Sequence, residues 1–119
     1  MNRQQLLHIL VLNQIADTYD AFERVIDCVT QLGTRCGVAL EQSEIASELN
    51  KLVDSGLARA YRLSPDWRRF ETITGWPRPS EIESSYFLLT DKGISEVREL
   101  RSLWPLDEDD VPIKDWTLS

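Results

Sequence analysis

The sequence predicts a mainly α-helical domain closed by a two- to three-stranded antiparallel sheet with an extended connection between its strands. Three observations carry that expectation. Apolar residues recur at helical spacing in three stretches before residue 56, and two short β-rich runs follow, Leu57–Leu63 and Tyr86–Leu89. The second run then becomes a helical pattern across Thr90-Asp91-Lys92-Gly93 with almost nothing between.

From Gln4 to Ala16 the apolar residues Leu6, Leu7, Ile9, Leu10, Val11, Leu12 and Ile15 are too dense for a one-sided surface helix. They suit a helix buried on most of its circumference, or one shared with a partner chain. Asp17-Thr18-Tyr19-Asp20 interrupts it, and Asp20 with Glu23 resembles a capping box. The next helix reads Phe22, Val25, Ile26, Val29, Leu32 and ends at Gly33. A single bent helix over residues 3–32 is the alternative.

Gly37-Val38-Ala39-Leu40 reads as a short apolar link or minimal strand. The third helix takes Ser43 as its N-cap, buries Ile45, Leu49, Leu52 and Val53 at i, i+4, i+7 and i+8, and stops at Gly56. Its opposite face carries Ser43, Glu44, Ser47, Glu48, Lys51 and Asp54. Leu57–Leu63 pairs with Tyr86–Leu89 as antiparallel strands. The residues between them exceed a usual hairpin loop, so they form a functional insertion or a partly disordered one. Within them, Ser64-Pro65-Asp66-Trp67 reads as a cap and first turn of a short helix, and Trp76-Pro77-Arg78-Pro79 as a stiff extended piece. Thr90 caps the last helix, Gly93 allows close packing, Ile94, Val97, Leu100 and Leu103 form its apolar stripe, and Pro105 ends it.

Composition bounds the function classes. At 119 residues and 42% hydrophobic, the chain holds one domain with a real core. No apolar run reaches the length of a membrane span, and Leu6–Leu12 lacks the flanks of a secretory signal, so the expectation is a cytoplasmic protein with no membrane partner. Cys28 and Cys36 form no metal or redox spacing, and one histidine, His8, completes none, so neither metal nor cofactor is expected. Catalysis is not expected either, for want of a phosphate loop or a placed acid-base pair. The net charge of −7 is uneven: residues 57–80 hold five basic and two acidic groups, while residues 81–119 hold four and ten.

The stretches SEIASELNKLVDSGLARAYRL and YFLLTDKGISEVREL resemble the core of small bacterial winged helix-turn-helix regulators of the PadR-like and MarR-like kind. The resemblance implies a winged-helix domain over 1–104, with an insertion of the wing at roughly 64–83, followed by an acidic tail over 105–119. It implies double-stranded DNA as partner, a homodimer formed through the N-terminal helix and the last helix, and an effector of unknown identity. Carried onto this chain, the groove-facing residues of the third helix are Ser43, Glu44, Ser47, Glu48 and Lys51.

Two of those are carboxylates, so attraction for phosphate has to come from elsewhere. Either glutamate can accept from a cytosine amino group, or the face is merely solvated. The basic source is the middle of the chain: Arg59 and Arg62 on the first wing strand, and Arg68, Arg69 and Arg78 in the connection. Trp67, Phe70 and Trp76 interleave with them. Arginine beside aromatics suits phosphate clamping and base stacking, and equally a protein-binding surface. The third reading folds all three aromatics back over the hairpin. The tail is read two ways, as a disordered interaction segment or as one packed back on the domain, where it would mask the basic wing.

Overall fold

A computed structural model describes residues 1–113 and 116–118. The first helix, α1 (Arg3–Gln14), begins with a reciprocal cap: Asn2 Oδ1 accepts the Gln5 N–H at 2.8 Å, and Gln5 Oε1 accepts the Asn2 N–H at 3.0 Å. Its apolar residues Leu6, Leu7, Ile9, Leu10, Val11 and Leu12 are all 5% exposed or less. Of the two readings of this dense helix, burial within the chain is the one realised. No apolar face of α1 is left for a partner, so the homodimer contact expected there has no surface to use.

A two-residue strand, β1 (Asp20–Ala21), separates α1 from α2 (Phe22–Arg35), so the helices are distinct and not one bent rod. The Asp20–Glu23 capping box does not form, because Asp20 is committed to the sheet; Ala21 is the cap, without a side-chain bond. The Asp20 carboxylate is buried instead, taking the Gln14 amide at 3.1 Å and the Arg24 guanidinium at 3.2 Å. Burial outweighs these partners and raises its pKa. Gly33 does not end α2. It lies inside the last turns because the Leu40 side chain and the Val38 carbonyl press where a Cβ would be, and Gly37, at φ 77°, makes the turn. Residues 37–40 form no strand.

Helix α3 (Gln42–Asp54) starts from Glu41, two residues before the expected Ser43, and buries Ile45, Leu49 and Leu52 as its periodicity predicts. Gly56, at φ 78°, turns the chain into β2 (Ala58–Leu63). The expected mate is correct: β2 pairs with β4 (Tyr86–Leu89) from Ala58↔Leu89 to Tyr61↔Tyr86. The long connection, however, is ordered and adds β3 (Phe70–Ile73) on the other edge of β2. With β1 on the far side of β4, the antiparallel sheet has four strands in the order β1-β4-β2-β3. Among the described residues the architecture is therefore mixed α/β, with four α-helices and a four-stranded sheet where two or three strands were expected.

Because side chains alternate along a strand, cross-strand partners share a face. Ala58, Ala60, Ile73, Phe87 and Leu89 are buried on the face toward the helices. Arg59, Tyr61, Leu63, Phe70, Thr72, Tyr86 and Leu88 belong to the opposite face. After β3 the chain crosses back over the core side, where Pro77 is fully buried and the Trp76 ring lies 5.5 Å from Phe87.

The β4–α4 corner is drawn as the sequence predicts. Thr90 Oγ1 accepts the Gly93 N–H at 3.2 Å, capping α4 (Asp91–Leu100), and donates to the Gly56 carbonyl at 2.7 Å. The Thr90 N–H reaches the Leu57 carbonyl at 3.0 Å, and the Lys92 ammonium reaches that of Ser55 at 3.0 Å. After a short 3-10 turn, Arg101–Leu103, Pro105 is buried and Leu106 joins the core. Leu106 bridges to Pro112 and Trp116 packs partly against the core, so the described part of the tail is folded back on the domain. Among the described residues, no helix is long and apolar enough to cross a membrane.

A methyl at Gly93 would strike the Leu57 carbonyl, which is backbone and cannot swing aside. Gly93→Ala is expected to lower unfolding free energy by about 2 kcal/mol or more, as overpacking at a fixed contact does. Gly56→Ala meets open space and suffers only the left-handed conformation, about 1 kcal/mol. Urea midpoints of the two variants check the order; equal losses would show that the corner is not close-packed.

Candidate nucleic-acid interface

Helix α3 has three faces. Ile45, Leu49 and Leu52 enter the core. Glu44 and Glu48, one turn apart, are turned toward α1 and do not face outward as expected. Glu48 is 3% exposed. One carboxylate oxygen accepts from the Gln4 amide at 2.8 Å, and the other meets His8 Nδ1 at 2.7 Å. Glu44 binds the Arg3 guanidinium through both oxygens, at 2.8 and 3.1 Å, and Arg3 also donates to the Ala39 carbonyl at 2.6 Å. That guanidinium holds the Glu44 carboxyl below the usual carboxylate range.

Neither glutamate is therefore an outward base reader. The stripe left to solvent is Ser43, Ser47, Lys51 and Asp54, at i, i+4, i+8 and i+11, its first three residues beside a shallow cleft of about 280 Å³ between α1 and α3. Sequence reasoning missed Arg3, Gln4 and His8, because nothing local signals a partner forty residues away.

The five arginines do not form one patch. Arg59 and Arg62 are both exposed on β2, but three positions apart, so they point to opposite faces of the sheet. Arg68 and Arg69 stand at the β2–β3 turn. The helical turn expected at residues 64–67 is instead a β-turn, closed by Trp67 N–H to the Ser64 carbonyl at 2.9 Å and Ser64 N–H to the Arg69 carbonyl at 2.8 Å. The Ser64 hydroxyl donates to the Asp66 carboxylate, which also accepts the Arg68 N–H at 3.2 Å. These bonds hold the Asp66 carboxyl below its ordinary pKa. Arg78 is exposed in the segment after β3, and its carbonyl accepts from Glu81 and Ile82 at the 3-10 turn Ile82–Ser84, which packs against α2.

The three aromatics of the connection also separate. Trp76 is folded onto the core and leaves the interface. Phe70 stacks on Tyr19, with centroids 3.9 Å apart and planes 11° apart, in a cluster with Tyr61 and Tyr86 on the outer sheet face. Only Trp67 stands free, at 78% exposure. The alternation Tyr61-Arg62-Leu63 and Tyr86-Phe87-Leu88 signalled that outer face; nothing in the sequence signalled that Tyr19 completes it.

The acidic turn Asp107–Asp110 lies by α1 and α4, where Asp110, Ile9, Leu12, Val97, Leu100 and Trp104 line a cavity of about 570 Å³. Among the described residues, no hydrogen bond or ion pair joins this turn to the β2–β3 hairpin, which the expected masking would need. Cys36 is buried and Cys28 half-buried, both as free thiols, and burial pushes the Cys36 thiol up. Among the described residues, no three His, Cys, Asp or Glu side chains converge as metal ligands. No family model matches the chain, and neither the curated proteins nor the solved structures contain a match.

The His8 bridge makes stability depend on pH. Its bond to Glu48, with Glu96 on α4 at 3.8 Å from Nε2, raises the His8 pKa. A raised pKa means stabilisation that is full below the unfolded value of about 6.5 and lost as pH rises through the folded value. The urea midpoint is expected to fall from pH 6 toward pH 9, and His8→Gln to flatten that fall. An unchanged slope in the variant would remove His8 from the account.

Proposed function

We propose that the chain is a winged helix-turn-helix protein that binds double-stranded DNA and acts as a transcription regulator. In this reading α2 and α3 are the helix-turn-helix, α3 lies in the major groove, and the β2–β3 hairpin is the wing. One observation carries it: the two carboxylates in the middle of α3 are both bound by α1, leaving Ser43, Ser47 and Lys51 as its free stripe, with Asp54 at its C-terminal end. Serine hydroxyls donate to phosphates or to base edges, and Lys51 supplies charge. Arg62, Arg68 and Arg69 follow on the hairpin and take further phosphates. Arg59 faces the other side of the sheet and is left out of the contact. The net charge of −7 weakens long-range attraction, and each phosphate contact releases counterions, so binding falls as salt rises.

Dimerisation in this reading cannot use α1. Among the described residues, exposed apolar groups near the C-terminal end include Leu103, Val111, Ile113 and Leu118, and the Leu106–Pro112 bridge and the Ile113 N–H to Pro105 carbonyl bond fold this segment. We place the self-contact there.

A protein-binding module is the second reading, favoured by the aromatic cluster of Tyr19, Tyr61, Phe70 and Tyr86 on the outer sheet face. Tyrosines beside Arg59 on that face have the composition of an interface hot spot. It predicts association that persists after nuclease treatment and weakens on Tyr61→Ser.

For the DNA reading, anisotropy of random-sequence duplexes at about 50 mM salt should show binding. Lys51→Ala, Arg68→Ala and Arg69→Ala should each reduce the slope of log K against log salt by about one, while Arg59→Ala, on the other sheet face, leaves it unchanged. Absence of binding at low salt, or slopes indifferent to all three, would overturn the proposal.

A further inference from the structure

The end of β2 opens a second site, distinct from α3. The last β2–β4 pair is Tyr61↔Tyr86, yet β2 runs on through Leu63, paired there only with β3. On the β4 side the strands part and leave a cavity of about 510 Å³, lined among others by Arg62, Pro65, Trp67, Glu81, Ser84 and Tyr86. That size is in the range of small-ligand sites.

Trp67 is the informative member. It sits at φ 63°, a left-handed conformation that glycine or asparagine takes readily and a bulky side chain does not. Strain of this kind persists where surrounding bonds over-determine it, and here the Ser64–Asp66–Arg68 bonds do so. The turn thus holds a large aromatic ring in solvent at 78% exposure, at a cost that a glycine would remove. Around it, Arg62, Arg68 and Arg69 make no ion pair within 4 Å among the described residues, although Glu71 stands directly across from Arg62. An unpaired guanidinium and a presented indole at one cavity match an anion joined to a planar ring.

We infer that this cavity is a nucleotide subsite, in which a base stacks on Trp67 and its phosphate binds Arg62. Glu81 also lines the cavity and would add selectivity, its carboxylate accepting from an exocyclic amino group, which adenine and cytosine carry and thymine lacks. The nucleotide is either free or a unit of a single strand, since both present the same ring and phosphate.

The test uses the full chain at low salt with two probes, adenosine monophosphate by equilibrium dialysis and a labelled single-stranded oligo(dA) by anisotropy. At least one probe is expected to bind, more tightly than its thymine counterpart. Trp67→Gly, which keeps the turn and deletes the ring, is expected to weaken binding by about tenfold to a hundredfold without lowering the thermal midpoint. Trp67→Phe should restore most of it, and Arg62→Ala should weaken it as well. Monophosphate that binds and displaces the oligonucleotide identifies a free-nucleotide site; binding of the oligonucleotide alone identifies a strand site. Failure of both probes to bind, as a tip made for a protein partner would give, or full binding by Trp67→Gly, overturns the inference. The α3 proposal fails separately: oligonucleotide binding through Trp67 with no duplex binding would overturn that proposal and leave this one standing.

Discussion

Glu48 sets the arrangement on which the candidate interface depends. A carboxylate at 3% exposure must find hydrogen bonds inside the protein, and the two that Glu48 makes both come from α1. Gln4 and His8 lie one turn apart on α1, so both can bond Glu48 only if the helix crosses α3 at that height and rotation. The same crossing brings Arg3 onto Glu44, and His8 Nε2 within 3.8 Å of Glu96 on α4. One buried charge therefore ties three helices together and decides which side of α3 meets solvent. Breaking it would leave an unpaired carboxylate in place, which is why the removal of one partner from such a pair is more damaging than its net contribution suggests.

The sheet depends on a different constraint, the close approach at Gly93. The strand β4 must lie between β1 and β2, and α4 must start at once from its end, or the Leu57 carbonyl and the Thr90 N–H could not meet. Gly93 lets the backbones come that near, and Thr90 satisfies both α4 and the Gly56 carbonyl. The start of β2 is thereby pinned by three elements, while its other end is pinned only by β3. Local stability should follow that asymmetry, firm at the corner and softer toward the turn.

Much of this was legible from local signals. The buried positions of α2 and α3, the Thr90 cap, the β2–β4 pairing and the stop at Gly56 all follow from periodicity, capping and turn chemistry within a few residues. What was not legible is pairing across distance. Phe70-Glu71-Thr72-Ile73 is too short and too polar to announce an edge strand, and Asp20 reads as a helix cap because its strand partner lies beyond residue 80. Gly33 looked like a helix end because nothing nearby reveals that Leu40 needs its space. The outward reading of Glu44 and Glu48 failed for the same reason. Helical spacing correctly put them off the core stripe, but it cannot distinguish solvent from a neighbouring helix.

The charge distribution follows from these contacts. A net charge of −7 would argue against any anionic partner if charge acted as a sum, but in physiological salt its reach is about 8 Å. What matters is which charges remain unpaired at one place. On α3 the two carboxylates facing α1 are met by an arginine and a histidine. The tail carboxylates Asp107–Asp110 sit by α1 and α4, and α4 joins β2 only at its start. The hairpin turn lies at the far end of β2, six residues on, roughly 20 Å at strand rise. That is more than two screening lengths. The tail carboxylates and the arginine-bearing turn are thus largely screened from one another, whereas Asp66, Glu71 and Glu81 stand at the hairpin or its cavity and set the local charge there.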